Sequence, residues 1–272
     1  MSAARPAARR RVGLIGFGSI GSRVYRRIVD EPSLGLDVAF VHNRSPAALH
    51  AVPAALHLGD VAELPGFAPD LVVEMAHPAY TQRWGEQILA HADYLPLSVT
   101  ALADDALRER LVARARDAGT TLAVPHGALM GLDSLREWRH QWEEVTITFF
   151  KNPSNIDFSE SGIDPATIRT DADTVVYDGP ARAIAALFPR NVNTMVTCAL
   201  ATVGLDRCRA RLVALPSLNV AIAEVVARGR DGSLLTMRKE QPAIGVSGSE
   251  MFESQFASIV RTARLPQPFE FV

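Results

Sequence analysis

The amino-acid sequence predicts an α/β protein in which an N-terminal, doubly wound parallel sheet is followed by a second, smaller α/β domain. Three glycines with G-x-G-x-x-G spacing (Gly16, Gly18 and Gly21) stand between a strand pattern and a helix pattern. Apolar runs then alternate with helical periodicity, which is typical of parallel strands joined by helices. After about residue 142 the pattern changes to the strands of a different, mixed sheet.

The glycine segment predicts a dinucleotide site of the Rossmann type. Residues 12–15 are a strand candidate, and Ile20, Val24 and Ile28 recur every four residues on one helix face. In such a turn the first glycine permits the bend, the second lets the backbone approach a pyrophosphate, and the third lets helix pack on strand. An ordinary glycine-rich turn is the alternative. The expected cofactor contacts are Gly16, Gly18, Ser19, Ile20 and Gly21.

The remaining elements follow in chain order. Further strands of the first sheet are predicted at 37–41, 70–76 and 121–124, and helices at 78–91 and 104–118. Later in the chain the pattern predicts strands at 145–150, 174–177, 211–215, 223–227 and 234–237, and a closing helix at 250–263.

These elements suggest two domains. We place a dinucleotide-binding Rossmann domain at 1–125 and a substrate and oligomerisation domain at 126–245. A C-terminal helix of about 246–272 is expected to pack back on the first domain.

The composition is that of a soluble globular protein, since 48% of the 272 residues are hydrophobic and 21% are charged. A net charge of -2 gives no general attraction to nucleic acid or an anionic membrane, so the arginine-rich opening (Arg5 and Arg9 to Arg11) is interpreted as a solvated tail. Cys198 and Cys208 lack metal-site spacing. We therefore expect no metal, no membrane span and a cytoplasmic location.

The residues after the second strand predict the choice of cofactor. An acidic side chain there accepts from the 2′-hydroxyl of NAD, whereas a basic one accommodates the 2′-phosphate of NADP. This chain has Asn43, Arg44 and Ser45, a cation with two hydrogen-bonding neighbours and no carboxylate. We expect NADP to be preferred, with NAD as the second cofactor. The alternative is an exposed arginine beside a promiscuous site.

Several segments in a fixed order carry more information than the glycines alone. They are Gly16-Phe-Gly-Ser-Ile-Gly, Val73-Glu-Met-Ala-His-Pro, Ser98-Val-Thr-Ala-Leu-Ala-Asp, Pro125-His-Gly-Ala-Leu-Met-Gly-Leu-Asp, Tyr177-Asp-Gly-Pro-Ala-Arg and Leu187-Phe-Pro-Arg-Asn-Val-Asn. With them the chain resembles the L-aspartate dehydrogenase family over nearly its whole length. The resemblance implies nicotinamide-dependent interconversion of aspartate with oxaloacetate and ammonia through an imine. It also implies that Ala128 and Asn193 contact the cofactor near its nicotinamide.

The chain departs from the family pattern at the catalytic acid/base. Aligned on Asn219, the family histidine falls on Ala221 and the family aspartate on Leu215. An alanine cannot exchange protons, and loss of a positioned acid/base costs about 10²–10⁴-fold in rate. Either another group does this work or the reaction differs.

Three residues are candidates for the missing acid/base. His126 comes first because it directly precedes Gly127 and Ala128, and the alternative is a polar loop residue or cofactor contact. Ala76 and His77 end the third strand, where cofactor contacts are expected, and His77 is a weaker catalytic candidate that a turn would explain equally. Lys151 ends an apolar strand and is a weak candidate beside the reading of a solvated lysine.

These observations favour three functions. The first is an NADP-preferring dehydrogenase of aspartate dehydrogenase type, acting on an amino acid, its imine or a related keto compound. The second is a ketone or imine reductase for a substrate that is not a dicarboxylate. The third is a catalytically silent NADP-binding protein. The expected partners are a small-molecule substrate and further copies of the chain, as a homodimer or higher homo-oligomer.

Overall fold

The computed structural model describes residues 9–244, 247–248 and 250–264. Unit 1 groups the described residues of Met1–Leu97, Ala106–Pro125 and Phe256–Val272, and unit 2 groups those of Ser98–Asp105 and His126–Gln255. One change of unit coincides with the predicted division after residue 125, whereas the segment Ser98–Asp105 groups with unit 2. Arg5 and residues 246, 249 and 265–272 of the predicted tail and closing helix lie outside the described residues.

Unit 1 contains a parallel sheet of β1 (Arg10–Ile15), β2 (Leu36–His42), β3 (Leu71–Glu74) and β4 (Asp93–Pro96), in the order β2-β1-β3-β4. The predicted α/β fold class is confirmed. Strand β2 pairs with one edge of β1, and β3 pairs with its other edge. The carboxyl ends of β1 and β3 therefore form a topological switch point, where open α/β sheets bind their ligands.

The helices of unit 1 each bury apolar side chains. They are α1 (Ser19–Asp30), the short α2 (Leu64–Phe67), α3 (Pro78–Leu89) and α4 (Asp105–Ala118). As the periodicity predicts, α1 buries Val24 and Ile28. Between β2 and β3 the connection consists of short 3-10 turns and α2, and prolines stand at the starts of several of them, where the missing N–H is tolerated.

The predicted strand at 121–124 is wrong as an extended element. Leu122 forms a single parallel bridge with Tyr94, flanked by hydrogen bonds to the carbonyl of Thr121 and from the N–H of Ala123. Pro125 has no N–H with which to continue a ladder. The fourth strand is instead β4, whose Tyr94 and Leu95 are fully buried.

Unit 2 is built on a mixed sheet, as predicted. Its strands are β5 (Trp142–Lys151), β6 (Thr174–Pro180), β7 (Arg209–Ala214), β8 (Val220–Gly229), β9 (Leu234–Ile244) and β10 (Ser247–Gly248), in the order β10-β9-β8-β5-β7-β6. Among the described strands of this sheet, β5 and β7 are parallel neighbours and the other adjacent pairs are antiparallel. The helices of this part of the chain are α5 (Leu132–Glu137), α6 (Ala181–Leu187), α7 (Asn193–Ala201) and α8 (Met251–Thr262).

Helices cover one face of the mixed sheet. The face carries Val145, Ile147, Phe149 and Lys151 of β5, all buried, and α7 packs against that strand. We call this the covered face of unit 2. Helix α8 begins in unit 2, and its residues from Phe256 onward belong to unit 1, where the Arg27 guanidinium lies 4.5 Å from the centroid of the Phe256 ring.

Candidate functional site

The glycine turn has the geometry that a dinucleotide requires. Gly16 has φ +98°, and a Cβ there would lie 2.8 Å from the carbonyl of Met75. A Cβ at Gly21 would lie 2.0 Å from the Gly16 oxygen. At Gly18, by contrast, no described atom beyond the adjacent chain lies within 4 Å of the position of a Cβ. The fold therefore requires the first and third glycines, while the second leaves space for a ligand against the backbone.

The start of α1 has the hydrogen-bonding capacity for an anion. Gly18 is the N-cap, and no side chain caps the helix. The Ser22 N–H donates to the Gly18 oxygen at 3.0 Å, so the N–H groups of Ser19, Ile20 and Gly21 precede the helical ladder. Free N–H groups and the positive end of the helix dipole favour a phosphate. The residues present therefore fit the pyrophosphate of a dinucleotide.

The end of β2 is tied to this turn by one side chain. Asn43 Oδ1 accepts from the Phe17 N–H at 3.1 Å, and Asn43 Nδ2 donates to the Ser45 carbonyl at 3.0 Å. Arg44 and Ser45 are exposed, and the Arg44 guanidinium has no hydrogen bond or ion pair with any described residue. The chain thus presents an uncompensated cation beside the glycine turn.

The end of β3 is held by a buried carboxylate that the sequence pattern does not single out. Glu74 is fully buried, and its Oε1 accepts from the N–H groups of Ala76 at 2.6 Å and His77 at 2.7 Å. His77 Nδ1 accepts in turn from the Ala79 N–H at 3.2 Å, which makes the imidazole the N-cap of α3. This contact gives His77 a structural role and leaves Ala76 exposed at the carboxyl edge of the sheet.

In unit 2, residues 126–131 form a tight turn. The Leu129 N–H donates to the His126 carbonyl at 3.0 Å, and both glycines of the segment have positive φ. A Cβ at Gly127 would lie 3.1 Å from Thr194 Oγ1, at the start of α7. This close approach places the segment against the N-terminal end of that helix.

A lysine fixes the next residue of the same turn. Lys239 Nζ, on β9, donates to the Ala128 carbonyl at 2.7 Å and pairs with Glu250 Oε2 at 2.6 Å. The Glu250 N–H donates to Gln241 Oε1 at 3.0 Å. One ammonium therefore joins three segments of unit 2 around Ala128.

Asn193 lies at the first position of α7. Its Oδ1 accepts from the Thr100 N–H at 3.1 Å and lies 3.3 Å from Thr100 Oγ1. These bonds attach the 3-10 turn of Val99–Ala103 to α7 and explain why that segment groups with unit 2.

Lys151 is buried at the end of β5. Only 6% of its surface is exposed, and burial lowers its pKa from 10.5 to about 8. It pairs in register with Ala214 of β7. Since Phe150 pairs with Ile222 of β8, the next position places Lys151 opposite Ala221. The residue that aligns with the family histidine is therefore a cross-strand neighbour of this lysine.

Four of these unit 2 residues lie toward the same end of the covered face. Helix α7 leads into the start of β7, so its first residue, Asn193, lies at the end where β5 finishes with Lys151. Lys239 pairs with Ala223, which pairs with Phe149, and so Lys239 and Ala128 lie at the same end. The sequence names Ala128, Asn193 and Lys151 separately, and the fold places all three toward one end of the covered face.

A second polar region lies on the opposite face of the mixed sheet. A groove of about 340 Å³ there is lined by Thr146, Thr148, Asp178, Arg209, Arg211, Glu224, Val226 and Arg228. Arg209 and Arg211 both bind Asp178, so much of its charge is internally compensated. Within the described ranges, no cluster of three or more His, Cys, Asp or Glu could hold a metal, and no helix is long and apolar enough to cross a membrane.

Comparisons with known proteins agree with this geometry. The profile described as "Homoserine dehydrogenase, NAD binding domain" matches residues 16–125, and "Aspartate dehydrogenase, C-terminal" matches residues 133–247. Fold and glycine turn therefore define a nicotinamide-nucleotide-binding oxidoreductase.

Full-length relatives narrow the class. The chain is 34% identical over 267 residues to an aspartate dehydrogenase domain-containing protein of Xenopus tropicalis, which covers 93% of this chain and 94% of that one. It is 32% identical over 260 residues to L-aspartate dehydrogenase 1 of Bordetella pertussis, covering 94% of each. The crystal structure of aspartate dehydrogenase from Thermotoga maritima superposes with a TM-score of 0.74 at 25% identity, covering 97% of this chain and 99% of that one. The chain belongs to the aspartate dehydrogenase family, which confirms the resemblance.

Proposed function

We propose that this chain is an NADP-preferring dehydrogenase that interconverts an amine and an imine on an amino acid or a related keto compound. The observation that carries the proposal is the uncapped start of α1 above the open space at Gly18. Relatives named L-aspartate dehydrogenase support the reaction class. Bound NADP would supply the hydride acceptor or donor, and the protein would bind, orient and exchange protons.

Arg44 supports the preference for NADP. Both ends of the Asn43 amide are engaged within the protein, so the exposed Arg44 and Ser45 are the groups left for a 2′-phosphate. The proposed cofactor contacts comprise Gly16, Gly18, Ser19, Ile20, Gly21, Arg44, Ser45, Ala76 and His77 in unit 1, Asn43 through its hold on the turn, and Ala128 and Asn193 in unit 2.

The substrate pocket of this chain departs from the family pattern. Leu215 and Ala221 stand where the resemblance expects an aspartate and a histidine. We therefore propose weak aspartate activity and better turnover of a related amine, imine or keto substrate, since remodelling of a site on an unchanged scaffold alters specificity. A ketone or imine reductase for a substrate that is not a dicarboxylate is the second candidate, favoured by the same two residues.

Two measurements test this function. Fluorescence titration should show tighter binding of NADPH than of NADH. A panel of L-amino acids with NADP⁺, and of keto acids with ammonia and NADPH, should then reveal turnover by absorbance of the reduced nicotinamide. Cofactor binding without turnover of any amino acid, keto acid or preformed imine would refute the dehydrogenase and support a silent NADP-binding protein.

A further inference from the structure

We propose that Lys151 exchanges the proton of the substrate nitrogen in this chain, an inference that rests on the proposed dehydrogenase function. The residue lies at the carboxyl end of β5, on the covered face, at the end of unit 2 that also holds Ala128 and Asn193. His126 ranks first from the sequence alone, but the position of Lys151 in the folded sheet makes the lysine the better candidate.

Small neighbours flank the lysine on both sides. Ala214 of β7 pairs with Lys151, and Ala221 of β8 follows one position beyond the last β5–β8 pair, Phe150 with Ile222; both alanine side chains end at Cβ. Residues directly opposite each other in neighbouring strands lie on the same face of a sheet, and in an antiparallel pair their Cβ atoms are about 4.5–5.5 Å apart. Neither adjacent strand therefore places a long side chain beside the lysine stem, and on β5 itself the Phe149 ring centroid lies 5.5 Å from Lys151 Nζ.

The charges around Lys151 also suit proton exchange. Among the described residues on the covered face and on α6 and α7, the other ionisable side chains are Tyr177, Arg182, Cys198, Cys208 and Lys239. Helix α5, which packs on α7, adds Asp133, Arg136 and Glu137, and the segment after β5 adds Asp157, which is paired with Arg190. Lys239 is paired with Glu250, and Arg182 with Asp105 and Asp206. The lowered pKa of Lys151, about 8, has burial as its cause, so its neutral form is accessible near neutral pH.

The proposed step is a simple proton transfer. In the oxidative direction, neutral Lys151 Nζ accepts a proton from the substrate ammonium, so that one substrate N–H bond breaks and one lysine N–H bond forms. The substrate loses its positive charge and the lysine gains one. The nitrogen lone pair left on the substrate is then available to form the C=N bond. In the reductive direction, the protonated lysine returns that proton to the amine.

The first test measures Lys151 without any turnover. The sequence contains only two lysines, Lys151 and Lys239. Lysine labelled with ¹³C at Cε should therefore give two side-chain signals, assigned with Lys151→Met and Lys239→Met. We expect the Lys151 signal to titrate near pH 8 and to shift when NADP⁺ and the best substrate of the panel are added. A Lys151 signal that titrates near 10.5 and ignores substrate would overturn the proposal.

The second test measures proton exchange in catalysis. Lys151→Ala should lower turnover by about 10²–10⁴-fold while NADPH still binds, and added ethylamine should restore part of the rate. Lys151→Arg keeps a positive charge but cannot deprotonate, so it should be equally slow. The rise of the wild-type oxidative rate through about pH 8 should be absent from both variants.

Two controls separate the possible failures. His126→Asn should retain the wild-type pH profile, and Lys239→Ala should not respond to ethylamine. An unchanged rate and pH profile in Lys151→Ala would exclude Lys151 and leave the dehydrogenase function standing. An inactive wild-type chain that binds NADPH would instead refute the dehydrogenase function itself, and this proposal with it.

Discussion

The two units form their candidate sites from different chemical groups. In unit 1 the important groups belong to the backbone: the N–H groups at the start of α1, the bend at Gly16 and the amides that Glu74 holds. In unit 2 they are the side chains of Lys151, Lys239 and Asn193. A backbone site tolerates few changes because glycine is required at fixed positions. In a site made of side chains, a catalytic group on one strand can be replaced by a side chain on the neighbouring strand.

The largest effect should come from adding a side chain at Gly18. Its φ of −79° is accessible to any residue and its surroundings are open, so Gly18→Val should fold normally. The valine would block the pyrophosphate, and loss of two charge-assisted hydrogen bonds of about 1.5–3 kcal/mol each weakens binding by about 10²–10⁴-fold. NADPH fluorescence titration and a thermal melt measure the two properties.

Gly21→Val is the matched variant for that experiment. Its Cβ would overlap the Gly16 oxygen at 2.0 Å, so here the fold itself should suffer, with a clear fall in melting temperature. If Gly18→Val bound NADPH normally, the nucleotide would have to bind elsewhere. The assignment of a backbone-based cofactor site to unit 1 would then be wrong.

The two lysines should affect stability in opposite directions. The folded-state pKa of Lys151 is depressed from 10.5 to about 8, so between these values the unfolded chain binds more protons than the folded chain. The free energy of unfolding therefore rises with pH across this window, and below about pH 8 the folded state bears the full penalty of about 3 kcal/mol. Lys151→Met should thus stabilise the protein at neutral pH and lose this advantage above about pH 10.

Lys239→Met is the counterpart. It removes the donor to the Ala128 carbonyl and the partner of Glu250, and should destabilise by about 1–3 kcal/mol. Urea unfolding at several pH values measures both variants. A Lys151→Met protein less stable than wild type at neutral pH would show that the lysine is structural, and the contrast between the two lysines would disappear.

A smaller effect is expected at the end of β2. Arg44→Asp removes the uncompensated cation, and a charge-assisted contact with the 2′-phosphate contributes about 1.5–3 kcal/mol, so NADPH affinity should fall by about 10–150-fold while NADH affinity changes little. Arg228→Asp, an equally exposed arginine in unit 2, makes the same change in net charge. Equal losses in both variants would indicate general electrostatics and no phosphate contact.

The smallest effect should follow a change at His77. Asparagine is among the best N-cap residues, so His77→Asn should preserve the start of α3 and leave turnover within about threefold of wild type. His77→Ala should cost about 0.5–2 kcal/mol of stability through the lost cap, with little effect on the chemical step. Initial rates and thermal melts distinguish these outcomes, and a rate that collapses in His77→Asn would return the imidazole to the list of catalytic groups.

The sequence predicts unit 1 well because its constraints are local. The spacing of Gly16, Gly18 and Gly21 and the apolar stripe of α1 depend on residues a few positions apart. The role of Glu74 is harder to predict, since a single carboxylate at the end of an apolar strand belongs to no motif with a recognisable spacing. The short β4 is equally hard to predict because four residues show no clear periodicity.

Unit 2 is harder because its site depends on which strands are neighbours. Lys151 and Ala221 are far apart in the chain and become neighbours only through the pairing of β5 with β8. The attachment of Val99–Ala103 to α7 likewise includes long-range hydrogen bonds, among them that of the Thr100 N–H to Asn193 Oδ1. No periodicity within either segment could indicate these long-range contacts.

The hydrogen bond between Asn193 and Thr100 also fixes the orientation of the Asn193 side-chain amide. A backbone N–H can only donate, so the Thr100 N–H fixes which end of the Asn193 amide is oxygen, an assignment that is often ambiguous for asparagine. With that oxygen occupied, the amide can offer a ligand mainly its two N–H donors. Asn193 would therefore donate to an acceptor such as a ligand carbonyl oxygen and would not accept from an amino group. Thr100 would in this way influence how a ligand carboxamide is oriented without contacting the ligand.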